Sequence, residues 1–202
     1  MHRFHGTGEG AAGNTPLDDD ELEGLIPPHI ATRSELNDWE ANNIKQAFAW
    51  ASTRSRDMLA ANVLRTLHTK MFGETWSWAG TFRKADKNIS PYHWTEVPRL
   101  INDLLASTKL RHEHSEKAAE DLDELAARFH HELVRIHPWP NGNGRHARLA
   151  TDLLLSRWGR PQFSWGSIRH GTDATAARTE YLEALRNADA GKYDELIRFV
   201  RS

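Results

Sequence analysis

Apolar residues recur at helical spacing along most of this chain. Behind Thr32 and Glu35, which have the spacing of a capping box, this pattern predicts a first helix. A second helix is predicted from about Asp57 to a stop at Gly73. The apolar positions that support the two helices are Leu36, Trp39, Ile44, Ala47, Phe48 and Ala51, then Leu59, Val63, Leu64, Leu67 and Met71.

The periodicity returns at residue 97 and predicts further helices almost to the end of the chain. Between the two stretches, residues 75–94 lose it, and their aromatic, Thr, Gly and Pro content predicts a loop with a short hairpin-like flap. The charged stretch 109–117 is predicted to be a solvated loop. The pattern as a whole indicates an all-α fold, a bundle of six to eight helices interrupted by the flap.

The N-terminal residues divide into two short segments. Residues 1–14 are rich in Gly and poor in apolar side chains, so we expect a flexible tail. Residues 15–30 form an acidic segment that ends near a Pro27-Pro28 pair, where no helix continues smoothly. Residues 31–202 show no further linker and are expected to form one domain.

Composition excludes several classes of protein. The 202 residues contain no Cys, which excludes a disulfide framework, a thiolate zinc site and a cysteine nucleophile. The 26 Lys and Arg residues nearly balance the 28 Asp and Glu residues, which argues against direct binding of nucleic acid. The first residues lack the apolar core of a secretory signal, and no apolar run is long enough for a membrane span. We therefore expect a cytoplasmic protein without membrane contacts.

The stretch HPWPNGNGRHAR, residues 137–148, carries the candidate chemistry. It forms a Gly-rich turn between two apolar helices, where backbone amides at the start of the second helix favour an anion. Gly142 and Gly144 allow a phosphate to approach the backbone closely, and Asn143 tolerates a left-handed conformation. Trp139 is expected in the core beneath the turn.

Three side chains add chemistry to this turn. Arg145 and Arg148 are three residues apart, so both can extend from one helix face toward the same polyphosphate. His137 can accept a proton from an alcohol near neutral pH. Together these residues indicate phosphoryl or nucleotidyl transfer to a substrate hydroxyl.

The stretch closely resembles the Fic motif, HPFx(D/E)GNGRxxR, from which it differs at Trp139 and Asn141. The resemblance to the Fic/Doc family extends over about residues 30 to 202 and includes the flap and the C-terminal helices. The segment TPLDDDELEGLIP makes the chain most similar to the subgroup called mobile mystery protein B.

The resemblance implies a Fic fold and transfer of AMP from ATP to a Ser, Thr or Tyr hydroxyl of a target protein. It implies that His137 is the general base, that Arg145 holds the β-phosphate region and that Arg148 contacts the γ-phosphate. The other nucleotide-binding residues would be Asn141, Gly142, Asn143 and Gly144. A flap that pairs with the target chain would consist of Thr81, Phe82, Arg83, Lys84, Ala85, Asp86, Lys87, Asn88 and Ile89.

Asn141 weakens the case for a protein-held Mg²⁺. The family has an acidic residue there that helps hold the ion, and a carboxamide offers one weaker oxygen and no charge. Either phosphates and water hold the Mg²⁺, or turnover is slow. Gly144, by contrast, separates this chain from the phosphorylating Doc branch, which has Lys at that place.

Glu23, followed by Gly24, partly matches the family's inhibitory S/T-x-x-x-E-G/N pattern, with Asp19 at the Ser or Thr position. Glu23 either pairs with Arg148 as an inhibitory residue, as the resemblance implies, or belongs to an acidic turn. His146 is expected at the surface or against the target, and Trp76 and Trp78 in the core rather than in a base-stacking platform. The basic side chains of the flap are either a hydrated rim or a contact for an acidic target.

The leading interpretation is a protein adenylyltransferase. Transfer of another nucleotide or phosphate-containing group remains an alternative, and so does a non-catalytic module that binds a nucleotide or an antitoxin. By resemblance, a small DNA-binding antitoxin-like protein is a plausible partner.

Overall fold

The computed structural model describes residues 22–53, 56–118, 121–169 and 174–202, which contain seven α-helices and two short 3₁₀ turns. The predicted tail, and the acidic segment up to residue 21, lie outside the described residues. The helices are α1 (Arg33–Ser52), α2 (Ala61–Phe72), α3 (Val97–Ala118), α4 (Leu122–Ile136), α5 (Asn143–Arg157), α6 (Ala174–Asp189) and α7 (Asp194–Arg201). The 3₁₀ turns are Trp94–Glu96 and Gly166–Arg169.

The all-α prediction is confirmed, and its details differ in three places. Within the described ranges the segment after α2 is a loop without strands, so the hairpin-like part of the flap is not formed. Helix α2 begins at Ala61, because the Asp57 side chain accepts the Leu59 N–H and closes a separate turn. The stretch 109–117 continues α3, and Ser115 on its inner face is buried.

Local sequence explains where the first helix begins. Thr32 caps α1 by accepting the Glu35 N–H at 3.3 Å. The Glu35 carboxylate accepts the Thr32 N–H in return at 2.9 Å, which completes the capping box. The Ala31 N–H, also at 2.9 Å, and then the Thr32 N–H lower the pKa of Glu35. The prediction from spacing alone is therefore confirmed at atomic detail.

Helices α4 and α5 form the centre of the molecule because two hydrophobic cores share them. The first core lies between these helices and α1, α2 and α3. The second lies between them and α6 and α7. The turn that joins α4 to α5 therefore stands on rigid support from both sides. None of the helices in the described part of the chain is long and apolar enough to cross a membrane.

Three histidines lie buried beside this turn as neutral rings. Burial lowers the pKa of His130 to about 3 and of His146 to about 4, and lowers the pKa of His68 well below its ordinary 6.5. His146 is fully buried, so the expectation of a surface or target-contacting role is wrong. Its Nδ1 accepts the Trp139 indole N–H at 3.2 Å, and its Nε2 donates to the Leu64 carbonyl at 3.0 Å.

The buried histidines predict loss of stability in mild acid. Below pH 6.5 the unfolded chain binds protons that the folded chain excludes, so the free energy of unfolding falls as the pH falls. Between pH 7 and pH 5.5 we expect each such ring to remove about 1.3 kcal/mol, or about 5 kcal/mol together with His137, whose pKa burial lowers to about 3. Urea denaturation at the two pH values measures this loss.

A control variant shows whether the loss of stability comes from the buried histidines and not from an exposed one. His114 lies on the exposed side of α3, and His114→Gln should leave the loss unchanged. A free energy of unfolding that stays constant between the two pH values would contradict the burial of these rings as neutral groups.

Candidate active site

The turn between α4 and α5 contains two left-handed residues. His137 ends α4 with φ 53° and ψ 59°, and Gly142 precedes α5 with φ 80°. Left-handed backbone is uncommon for any residue other than Gly, although His adopts it more often than most, so the surroundings must stabilise this conformation of His137. The predicted left-handed position was Asn143, but Asn143 is instead the first residue of α5.

Asn143 closes the turn instead. Its side-chain oxygen accepts the Trp139 N–H at 2.9 Å, and its amide nitrogen donates to the Trp139 carbonyl at 2.9 Å. Both residues are buried, so Trp139 belongs to the core as predicted. The side chain of Asn143 is therefore committed to the turn, and only its backbone amide remains for an anion.

The first amides of α5 point out of the helix end. The first helical hydrogen bond runs from the His146 N–H to the Gly142 carbonyl at 2.9 Å, so the amides of Asn143, Gly144 and Arg145 have no acceptor within the helix. These amides and the positive end of the helix dipole make a concave anion site.

The two glycines of the turn have different reasons to be glycine. A Cβ at Gly142 would lie 2.6 Å from the Phe72 ring, in a left-handed backbone. A Cβ at Gly144 would meet only the Arg148 guanidinium, at 3.7 Å. Folding therefore requires Gly142, whereas a Cβ at Gly144 would make only an ordinary van der Waals contact with Arg148.

The two arginines of the turn reach different helices. The Arg145 guanidinium forms an ion pair of 2.6 Å with Glu40 of α1, and the other oxygen of Glu40 accepts the Trp76 indole N–H at 2.7 Å. Arg148 lies beside Tyr181 of α6 and hydrogen-bonds to its hydroxyl. Burial lowers the pKa of Arg148, and the Tyr181 hydroxyl opposes that shift.

Glu40 was not found from the sequence, although a signal was present. It falls on the buried face of α1, between Leu36 and Ala47, where a carboxylate requires a partner. Its partner is Arg145. Glu23, for which the sequence left an inhibitory residue and an acidic turn as alternatives, is exposed in a turn, and the partner that the structure gives Arg148 is Tyr181.

His137 is a neutral, enclosed base. Its Nδ1 lies 3.3 Å from the Val134 carbonyl, which can only accept, so this nitrogen carries the proton and Nε2 the lone pair. Burial, and then the charges of Arg83 and Lys87, lower its pKa to about 3. Only 4% of the residue is exposed, so little of the ring is accessible to a hydroxyl in this conformation.

The flap loop, residues 81–89, is anchored by a buried arginine. Arg83 donates from its backbone N–H to the Pro138 carbonyl at 2.8 Å and from Nε to the His137 carbonyl at 2.9 Å. The other N–H groups of its guanidinium donate to the Ala85 carbonyl within the loop and to the Tyr92 carbonyl just after it. This competition for carbonyl groups explains why no hairpin forms.

The flap loop is not the basic rim that its sequence indicates. Arg83 and Lys87 are buried, and only Lys84 is exposed among the three. Phe82 stacks on Trp139 at 5.1 Å between ring centroids. The remaining loop residues are exposed to solvent; they are Thr81, Ala85, Asp86, Asn88 and Ile89.

His68 links the base of the flap loop to the turn and was also missed by sequence analysis. Its Nδ1 accepts the Gly80 N–H at 2.9 Å, and its Nε2 donates to the Asn141 carbonyl at 3.1 Å. Its ring stacks on Trp139 at 4.4 Å. Trp76 is fully buried and Trp78 stacks on it at 5.1 Å, which supports the core assignment for both.

The side chains at the turn do not suit a protein-held Mg²⁺. The Asn141 side-chain oxygen accepts the Gly142 N–H at 2.7 Å, and a carboxamide adds no charge. Throughout the described ranges, no group of three His, Cys, Asp or Glu residues is arranged to hold a metal ion.

Comparison with known proteins agrees with this geometry. Residues 58–155 match the Fic/DOC family. A uridine 5'-monophosphate transferase of Xanthomonas campestris pv. campestris is 39% identical over 92 residues, which are 41% of this chain and 17% of the relative. A protein adenylyltransferase Fic of Nematostella vectensis is 42% identical over 77 residues, 38% of this chain and 16% of the relative. The chain thus spans less than a fifth of either relative.

The fold is also that of solved Fic structures. The BepC protein of Bartonella tribocorum, a VirB-translocated effector solved with bound AMPPNP, matches with a TM-score of 0.67 at 16% identity. The match covers 91% of this chain and 97% of that chain. Because identity is low, this match establishes the fold alone.

The two glycines give a test of the turn. Gly142→Ala should lower the free energy of unfolding by about 2 to 4 kcal/mol, through its collision with Phe72 and its strained backbone. Gly144→Ala should leave it unchanged or raise it by up to about 1 kcal/mol, since a helical glycine is replaced where a Cβ fits. Urea denaturation compares the two variants, and equal losses would contradict the geometry of the turn.

Proposed function

Because residues 58–155 form a Fic/DOC family domain, we propose that this protein is an adenylyltransferase that transfers AMP from ATP to a hydroxyl of a target protein. The observation that carries the proposal is the enclosed His137 beside the free amides of α5 and the space at Gly144. The protein adenylyltransferases among its relatives support it. We extend the domain to residues 31–202.

The target hydroxyl attacks the α-phosphorus of ATP. An oxygen–phosphorus bond forms, the bond from the α-phosphorus to the bridging oxygen of pyrophosphate breaks, and pyrophosphate leaves. Nε2 of His137 accepts the hydroxyl proton, because the ring is neutral at physiological pH and its proton lies on Nδ1. The negative charge of a bound triphosphate raises the pKa of the ring toward the range of a useful base.

The helix end holds the donor. The amides of Gly144 and its neighbours bind the phosphates. Arg145 holds the β-phosphate region, and Arg148 contacts the γ-phosphate. Asn141 and Gly142 fix the turn behind them. Arg145 must exchange part of its contact with Glu40 for the phosphate, so Glu40 both orients this arginine and competes for it.

The flap loop receives the target chain. Its anchor is buried Arg83, and the exposed residues on either side offer backbone groups and the apolar Ile89 side chain to an extended peptide. Binding of the target there would bring a hydroxyl close to His137.

The remaining assignments rest on the family. Any Mg²⁺ would arrive with ATP, held by phosphates and water. We place the reaction in the cytoplasm, where ATP meets its targets. Membership in the mobile mystery protein B subgroup, and with it a small DNA-binding antitoxin-like partner, stays a prediction from resemblance.

Labelled donors test the activity. Adding the protein to cell lysate with ATP labelled at the α-phosphate should give labelled protein bands that lysate alone does not give. With ATP labelled at the γ-phosphate, the protein should add no band to those that lysate kinases produce. His137→Ala should reduce labelling at least about a hundredfold and leave ATP binding intact, because the ring acts on the hydroxyl and not on the donor. His114→Ala is the matched control, with unchanged labelling.

The same assay separates the alternatives. Because one relative is a uridine 5'-monophosphate transferase, UTP labelled at the α-phosphate is tested in parallel. Transfer from UTP but not ATP would replace adenylyl by uridylyl transfer. Nucleotide binding with no transfer from either donor would favour the non-catalytic module.

Asn141→Asp tests the metal assignment. A carboxylate adds the charge that the carboxamide lacks, so we expect half-maximal activity at a Mg²⁺ concentration lower by on the order of tenfold. Asn88→Asp adds the same charge on the exposed flap loop and should leave the Mg²⁺ dependence unchanged. Identical Mg²⁺ titrations for wild type and Asn141→Asp would refute this account of residue 141.

A further inference from the structure

Two adjacent histidines of α4 each lie within hydrogen-bond distance of a tyrosine hydroxyl, and each of these tyrosines lies beside an arginine. His130 Nε2 lies 2.8 Å from the Tyr181 hydroxyl. The guanidinium carbon of Arg148 lies 5.8 Å from the centroid of the Tyr181 ring, which places the hydroxyl as a hydrogen-bond partner for Arg148. We call His130, Tyr181 and Arg148 the inner trio. Its histidine and tyrosine are buried, and it ends at the space beside Gly144.

The outer trio has the same composition and lies away from the turn. His131 Nδ1 lies 3.0 Å from the Tyr193 hydroxyl, and the Arg128 guanidinium stacks 3.9 Å above the Tyr193 ring. Arg128 also pairs with Glu124 at 2.6 Å. The outer trio thus ends in an ion pair on α4 itself.

The donor and acceptor groups of the three side chains determine the direction of the hydrogen bonds within the inner trio. A guanidinium can only donate, so the Tyr181 oxygen accepts from Arg148. The single proton of the hydroxyl then has one described acceptor, Nε2 of the neutral His130. Each group therefore sets the orientation of the next, from α4 through α6 to the arginine of α5.

The orientation matters because Arg148 has few other polar restraints. Its side chain is partly buried, and the described groups that act on it are Tyr181, Asp152 and the like charge of Arg145. Without the Tyr181 hydroxyl, the guanidinium would have to turn toward Asp152, away from the space at Gly144, or desolvate an unpaired N–H.

We infer that Tyr181, oriented by His130, is a positioning residue that directs the Arg148 guanidinium toward the terminal phosphates of the donor. This inference rests on the proposed function, since it requires a nucleoside triphosphate at the turn. It assigns helix α6 a part in discrimination between a nucleoside triphosphate and its monophosphate.

Tyr181→Phe removes the hydroxyl and keeps the ring. We expect it to weaken ATP binding about tenfold, the loss of one hydrogen bond to a charged group, and to leave AMP binding within about twofold. AMP lacks the phosphates that Arg148 would contact, so the ratio of the two affinities isolates the positioning role. Isothermal titration with each nucleotide measures the ratio.

Tyr193→Phe in the outer trio is the matched control. It removes the same hydroxyl from the same kind of trio and should leave the ATP to AMP affinity ratio unchanged. If Tyr181→Phe does not fold, His130→Leu removes the acceptor of the Tyr181 proton and should lower the ratio about threefold.

The outcomes are distinct. A ratio unchanged in a folded Tyr181→Phe, or lowered equally in Tyr193→Phe, overturns the positioning role and leaves the proposed function standing. Failure of the wild-type protein to bind either nucleotide overturns the proposed function and this assignment together.

Discussion

The buried guanidinium of Arg83 connects the two irregular segments of the molecule. It donates to the His137 carbonyl and to carbonyls in and just after the flap loop, so the conformation of the turn and that of the loop are set by one group. A buried cation requires a full set of acceptors, and here the backbone supplies most of them. The left-handed conformation of His137 persists because these contacts surround it.

Residues from two different helices hold the two arginines at the N-terminal end of α5. Glu40 approaches Arg145 from α1, and Tyr181 approaches Arg148 from α6, so the two arginines are held from opposite hydrophobic cores. The amides between them need no side-chain support, because the helix itself fixes their direction. A polyphosphate would thus meet a rigid centre and two arginines whose freedom is set by residues far away in the sequence.

Sequence analysis succeeded where local rules decide the structure. Periodicity located most of the helices, and spacing located the cap at Thr32 and the turn before α5. It failed where a side chain finds its partner across the fold. From the sequence, Arg83 looks like a surface charge, and Glu40 and His68 do not stand out from the other acidic residues and histidines. Each of the three has a hydrogen-bond or ion-pair partner that lies more than fifty residues away in the sequence. Only the position of Glu40 on an apolar helix face gave a local hint.

The space at Gly144 has a consequence for how such a protein diversifies. A residue whose side chain costs nothing in folding can change without passing through a misfolded intermediate. Substitution of Gly144 is therefore limited by its effect on activity and not by packing. Substitution of Gly142, two residues earlier, is limited by the collision with Phe72. Within one short turn, packing requires one glycine and tolerates a side chain in place of the other.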